Sequence, residues 1–100
     1  MDKKRIDRIA RAFMALSVEL AEAARAGEYN PEDFTRRMER NRAAIAELAT
    51  SDDTRLRRAA VLMSAVLADV PGIDDPDVDR RLIANGREWE RIMAEVTADV

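Results

Sequence analysis

Carboxylates and guanidiniums are the only side chains dense enough in this sequence to do chemistry. It holds 20 acidic residues, and 15 of its 17 cations are arginine, while histidine and cysteine are absent. Without histidine the chain lacks the commonest general base and the commonest metal ligand. Without either residue type a tetrahedral zinc site has no ligands, and the Glu-x-x-His pairs of carboxylate-bridged di-metal bundles cannot be built. An all-oxygen cation site would have to come from Asp74, Asp75, Asp77 and Asp79. That run lacks the central glycine and the closing glutamate of an EF-hand loop. No glycine-rich phosphate loop or Gly-x-Ser-x-Gly elbow occurs. The expectation is therefore a protein with no catalytic, metal-binding or cofactor-binding residues.

The arginines fall in clusters: Lys3, Lys4, Arg5, Arg8 and Arg11; Arg36, Arg37, Arg40 and Arg42; Arg55, Arg57 and Arg58. Basic clusters of this kind can follow phosphates. Several arginines nevertheless sit four residues after an acid, as in Glu32 and Arg36, Asp33 and Arg37, Asp53 and Arg57, or Asp77 and Arg81 outside the clusters. Such pairs support a helix by about 0.2–0.5 kcal/mol each and neutralise a phosphate-facing surface. The net charge of −3 dictates no partner. A GC-rich genome also enriches arginine and alanine without any functional cause.

The elements that must hold these charges are helices. Ile6, Ile9, Phe13, Leu16, Leu20 and Ala23 recur at spacings of three and four, which predicts a helix over 2–26, with Ala10, Met14, Val18 and Ala21 widening its apolar stripe. Asp2 suits its cap and Gly27 its left-handed end. Asn30, Pro31, Glu32 and Asp33 form a cap, a first-turn proline and two dipole-matched acids, with Tyr29 and Phe34 at the spacing of a hydrophobic staple. That second helix runs to about Ala49, with Phe34, Met38, Ile45 and Leu48 inward. Thr50 and Asp53 have the spacing of a capping box for the third. Nine of the ten residues in 59–68 are apolar, so the third helix is expected to be wrapped on all sides. It should end before Pro71, because a proline pushes the preceding residue, Val70, away from helical angles. Asp75, Pro76 and Asp77 start a fourth helix with Val78, Leu82, Trp89, Ile92 and Val96 inward. Asn85-Gly86 could break it and give five helices, but the apolar phase passes through unbroken.

Asn41 and Asn85 fall on the apolar stripes of the second and fourth helices, where an asparagine either fixes register or stays hydrated at the edge. These two helices share an Asx-Pro-acid start, an Arg-Arg pair and that asparagine, a pattern that duplication or convergence would produce alike. Trp89 reads as a core residue.

The fold expected is all-α, a single-domain antiparallel up-down four-helix bundle over residues 1–100. In that topology the turn at Gly27 and the segment at Pro71 share one end. That end would gather Glu28, Tyr29, Glu32, Asp69, Asp74, Asp75 and Asp77 as a partner-binding face. Lys3, Lys4, Arg5, Arg8, Arg55 and Arg58 collect at the other. Residues 69–100 carry nine acids against four arginines, in line with that polarity. The function expected is a small non-catalytic module that regulates, inhibits or adapts a protein partner with a basic surface, as bacterial and phage regulators of this fold class do. The alternative is a nucleic-acid-associated protein using the arginine faces. A cytoplasmic protein with no signal peptide and no membrane contact is expected, with homodimerisation open.

Overall fold

A computed structural model describes residues 2–98; Asp99, one of the nine acids counted above, lies outside them. Four α-helices account for most of the chain: α1 (Lys3–Arg25), α2 (Pro31–Ala49), α3 (Thr54–Asp69) and α4 (Pro76–Ala98), with a 3-10 turn at Val70–Gly72 between the last two. The local signals act as their chemistry requires. The Asp2 carboxylate accepts from the Arg5 N–H and the Asn30 side chain from the Glu32 N–H. Gly27 takes φ +71°. Its N–H bonds the Ala24 carbonyl while the Glu28 N–H bonds that of Ala23, so the orphan carbonyls at the end of α1 are satisfied by a Schellman arrangement. Tyr29 and Phe34 stack with centroids 6.0 Å apart, clamping the entry to α2.

The helices alternate in direction. Arg5 pairs with Glu47 and Arg37 with Glu19, joining α1 to α2 head to tail; Arg58 with Glu88 and Arg81 with Asp69 do the same for α3 and α4. Lys3 at the start of α1 meets Thr97 at the end of α4, so α1 is antiparallel to α4 and parallel to α3, and the turn after α1 shares an end with the 3-10 turn. Every helix sends side chains into one core, from Ile6, Phe13, Leu16 and Leu20 of α1 to Trp89, Ile92 and Val96 of α4. The third helix is the hub, packed against both α2 and α4, while α1 lies across α2, α3 and the 3-10 turn. The backbones of α1 and α4 make hardly any close approach, so the ring of helices is open on that side.

The structure corrects several sequence expectations. The third helix is not wrapped on all sides: Val61 is 57% exposed, and Ser64 and Ala68 also face outward. The shortest dimension of the molecule is 18 Å, room for two helix layers but not three at interaxial distances of about 8–10 Å. Val70 keeps helical angles, φ −51° and ψ −41°. Its side chain is buried, and that packing outweighs the steric push from Pro71, so the chain tightens into a 3-10 turn instead of leaving the helix. Thr50 closes α2 and caps nothing, its hydroxyl donating to the Glu47 carbonyl; Asp53 alone caps α3. Asn41 is buried, and its amide donates to the Arg37 carbonyl of its own helix at 3.0 Å. Ala24 takes the buried place expected of Ala23. Met14 and Val18, expected to widen the buried stripe of α1, are 42% and 50% exposed. The fourth helix is continuous through Asn85 and Gly86.

Candidate interaction surface

The two charged ends are built differently from one another. At the end carrying the α1–α2 turn, Asp69 pairs with Arg81, Asp77 with Arg80 and Asp79 with Arg25. Asp75 caps α4, its side chain accepting from the Asp77 N–H at 2.8 Å. Glu28, Glu32 and Asp74 are exposed and have no ion pair among the described residues. Tyr29 is half-buried on Phe34. Three arginines thus divide the acids of this end, and the carboxylates without ionic partners sit on the turn, the first turn of α2 and the loop before α4.

At the opposite end most cations are occupied. The Arg5 guanidinium bonds Glu47, its Nε 2.9 Å from Oε2. Arg55 bonds Asp53 and Arg58 bonds Glu88 in fork-on-fork pairs, at 2.9–3.1 Å and 2.6–2.9 Å. Lys3 donates to the Thr97 carbonyl. Among the described residues, Lys4 and Arg8 alone of the six predicted basic-end cations have no such partner. The hydrogen bonds from Arg37, Arg55 and Arg58 hold the Glu19, Asp53 and Glu88 carboxyls below their ordinary range. Among the described residues, no group of three or more carboxylates converges as a metal site, and no helix is long and apolar enough to cross a membrane.

A third feature is an apolar slot between α1 and α4. Phe13, Met14, Ser17, Val18 and Ala21 form one wall and Leu82, Gly86, Trp89 and Glu90 the other, over Val66, Val70 and Ile73. Ile83, three residues before Gly86 and seven before Glu90, stands on the same face of α4 and is 47% exposed. Lys3 bonds the Thr97 carbonyl at one end of the helix pair, and Arg25 stands 3.9 Å from Asp79 at the other. On its floor the Phe13 and Trp89 rings meet at 5.1 Å. The Trp89 indole N–H is buried with no acceptor among the described residues. The slot holds about 230 Å³, below the roughly 300–1,000 Å³ of drug-sized ligand sites, so it suits side chains rather than a cofactor.

Compared with known proteins, the chain matches no family model, no curated protein and no solved structure. Its surfaces have to be read from their own chemistry.

Gly86 is the residue of the slot that the fold does not account for. A glycine inside a helix costs about 1 kcal/mol relative to alanine. Gly86 has no positive φ, and a Cβ built on it meets no atom within 4 Å. Nothing in the chain itself requires the missing side chain. A second apolar depression lies between α2 and α3, lined by Ile45, Ala46, Ala49, Ala60, Val61 and Ser64 with Arg42 at its edge; Val61 is its one exposed large hydrophobic residue. The slot was missed in the sequence because Met14 and Val18 are indistinguishable there from core residues. Gly86 is the available signal, and in the sequence it reads only as a helix breaker.

Proposed function

We propose that this chain is a small non-catalytic module that binds a protein partner and regulates, inhibits or adapts it. The observation that carries this function is the slot and its rim, where Met14 and Val18 in the slot and Ile83 beside it stay in water on a bundle that buries twenty other hydrophobic residues among those described. Exposed apolar clusters rimmed by polar residues mark interaction sites in monomeric proteins. The carboxylates of Glu28, Glu32 and Asp74 supply the complementary long-range attraction for a basic partner surface. Occupation of Arg5, Arg55 and Arg58 by carboxylates weighs against the use of that end on phosphates.

The test begins with tagged full-length chain in a lysate of its native host. The captured protein is then purified and mixed with the chain at known concentrations. A discrete complex of fixed stoichiometry by size exclusion with light scattering is the result expected. Absence of any such complex, together with salt-dependent binding to random duplex DNA, would replace this function with the nucleic-acid one.

A further inference from the structure

We infer that the slot between α1 and α4 receives a single amphipathic helix of the partner protein, which packs there as a fifth helix of the bundle. This rests on the protein-binding function proposed above and specifies the form the partner takes.

Length comes first. Met14 to Ala21 on α1 and Leu82 to Glu90 on α4 are seven and eight residues, about 10–12 Å of helix. A helix laid between them spans the same distance from i to i+7, so apolar anchors at i, i+3 or i+4 and i+7 match the open stretch. Contacts near both ends, Lys3 with the Thr97 carbonyl and Arg25 beside Asp79, show that α1 and α4 run in opposite directions on either side of it.

Depth comes second. Ser17, Ala21 and Gly86 are the small residues of the two walls, and space is open above Gly86. A glycine that the free chain does not need is explained by a backbone or side chain arriving from outside and lying against it.

Charge completes the match. Glu90 is the one charged side chain lining the slot, and it has no ion pair among the described residues. On the α1 rim, Asp7 is already paired with Arg11 and Arg25 with Asp79. The arriving helix therefore brings a lysine or arginine beside its apolar ridge. A second copy of this chain is the competing occupant, because its own Met14, Val18 and Ile83 are exposed; a parent chain that light scattering finds dimeric and Val18→Asp monomeric overturns the proposal.

The experiment selects single-helix peptides from a displayed library against the full-length chain and synthesises one enriched, tryptophan-free sequence as the probe. Trp89, the only tryptophan, reports occupancy by its emission. The expected probe has aliphatic anchors at helical spacing and a basic residue. Val18→Asp and Gly86→Leu should each weaken it by at least about tenfold, as loss of a central contact does. Val61→Asp, in the other depression, should leave it unchanged. Glu90→Lys, on an exposed position that does not threaten folding, should weaken it several-fold and be rescued by a probe carrying glutamate in place of its lysine. Probes that bind Val18→Asp and Glu90→Lys as tightly as the parent overturn the proposal, as does a selection that enriches no helix. If either occurs while the purified partner still forms its complex, protein binding stands and only the slot fails. A probe bound in the slot with no partner complex has the converse meaning.

Discussion

Phe13 and Trp89 meet ring to ring beneath the slot, their centroids 5.1 Å apart and their planes tilted by 54°. They come from helices whose backbones hardly approach, so this contact links α1 to α4 through the core while the surface above it stays open. Tilted aromatic pairs contribute about 0.5–1.5 kcal/mol beyond the area they bury. Phe13→Ala, at a position 3% exposed, should cost about 3–5 kcal/mol and shift the Trp89 emission toward that of a hydrated indole. Denaturant melts with unchanged emission would separate the two rings energetically.

The hub position of α3 predicts a sharp division between its faces. Leu62→Ala and Leu67→Ala remove buried side chains and should each cost about 2–5 kcal/mol. Val61→Ala lies on the uncovered face and should change stability by no more than about 0.5 kcal/mol. Equal costs at Val61 and Leu62 in urea melts would mean that the outer face is covered in solution.

Gly86→Ala should stabilise the chain by up to about 1 kcal/mol, since the residue is helical and the added methyl meets nothing. A lower melting temperature would show that the helix breaks at Asn85-Gly86 after all.

How far the sequence disclosed this molecule depends on which step one asks about. The start of α2 was legible because Asn30, Pro31, Tyr29 and Phe34 act within one turn of each other, and local chemistry settles such a site. The seam of α1 was legible because Ile6 through Leu20 all face one core. Val70 was misread, since the rule for residues before proline is local and the burial that overrides it is tertiary. Met14, Val18 and Val61 were misplaced for a related reason. Periodicity identifies an apolar face, but only the distance between α1 and α4, or the thickness of the bundle, says whether another element covers it. The topology that joins the Gly27 turn to the Pro71 segment followed from short connections alone.

Acid should weaken the bundle through particular ion pairs. Glu19 and Glu88 are held below an ordinary value of 4.5 and Asp53 below 3.8, each chiefly by a hydrogen bond from its arginine. A carboxyl whose folded pKa lies below its unfolded one is protonated more readily in the unfolded chain. Its stabilising contribution is complete above the ordinary carboxylate range and is lost as pH falls through the lowered folded value. Melting temperature should therefore hold from neutral pH down to about 5 and fall below about 4. Glu19→Gln and Glu88→Gln should each flatten that acid limb. Parallel acid limbs in parent and variants would show that solvent screens these exposed pairs to insignificance.

Steering by the acidic end is best tested away from the caps. Asp75→Lys would remove the carboxylate that receives the Asp77 N–H, costing about 0.5–2 kcal/mol of helix stability and confusing folding with binding. Glu28 and Asp74 are exposed, and neither has a side-chain hydrogen bond or ion pair among the described residues. Glu28→Lys combined with Asp74→Lys changes the local charge by four units at little cost to the fold. Stopped-flow mixing with the purified partner should then show association slowed several-fold at low ionic strength, with dissociation little changed, because peripheral charges act mainly on encounter. The difference should shrink as salt shortens the Debye length from about 30 Å at 0.01 M to about 8 Å at 0.15 M. Reversing Arg8 and Lys4, the basic-end cations with neither an ionic nor a hydrogen-bonded partner among the described residues, should by the same logic leave the rate unchanged or raise it. Should that reversal alone abolish binding, with the acidic-end variant associating normally, the partner docks on the basic end and the polarity assigned here is inverted.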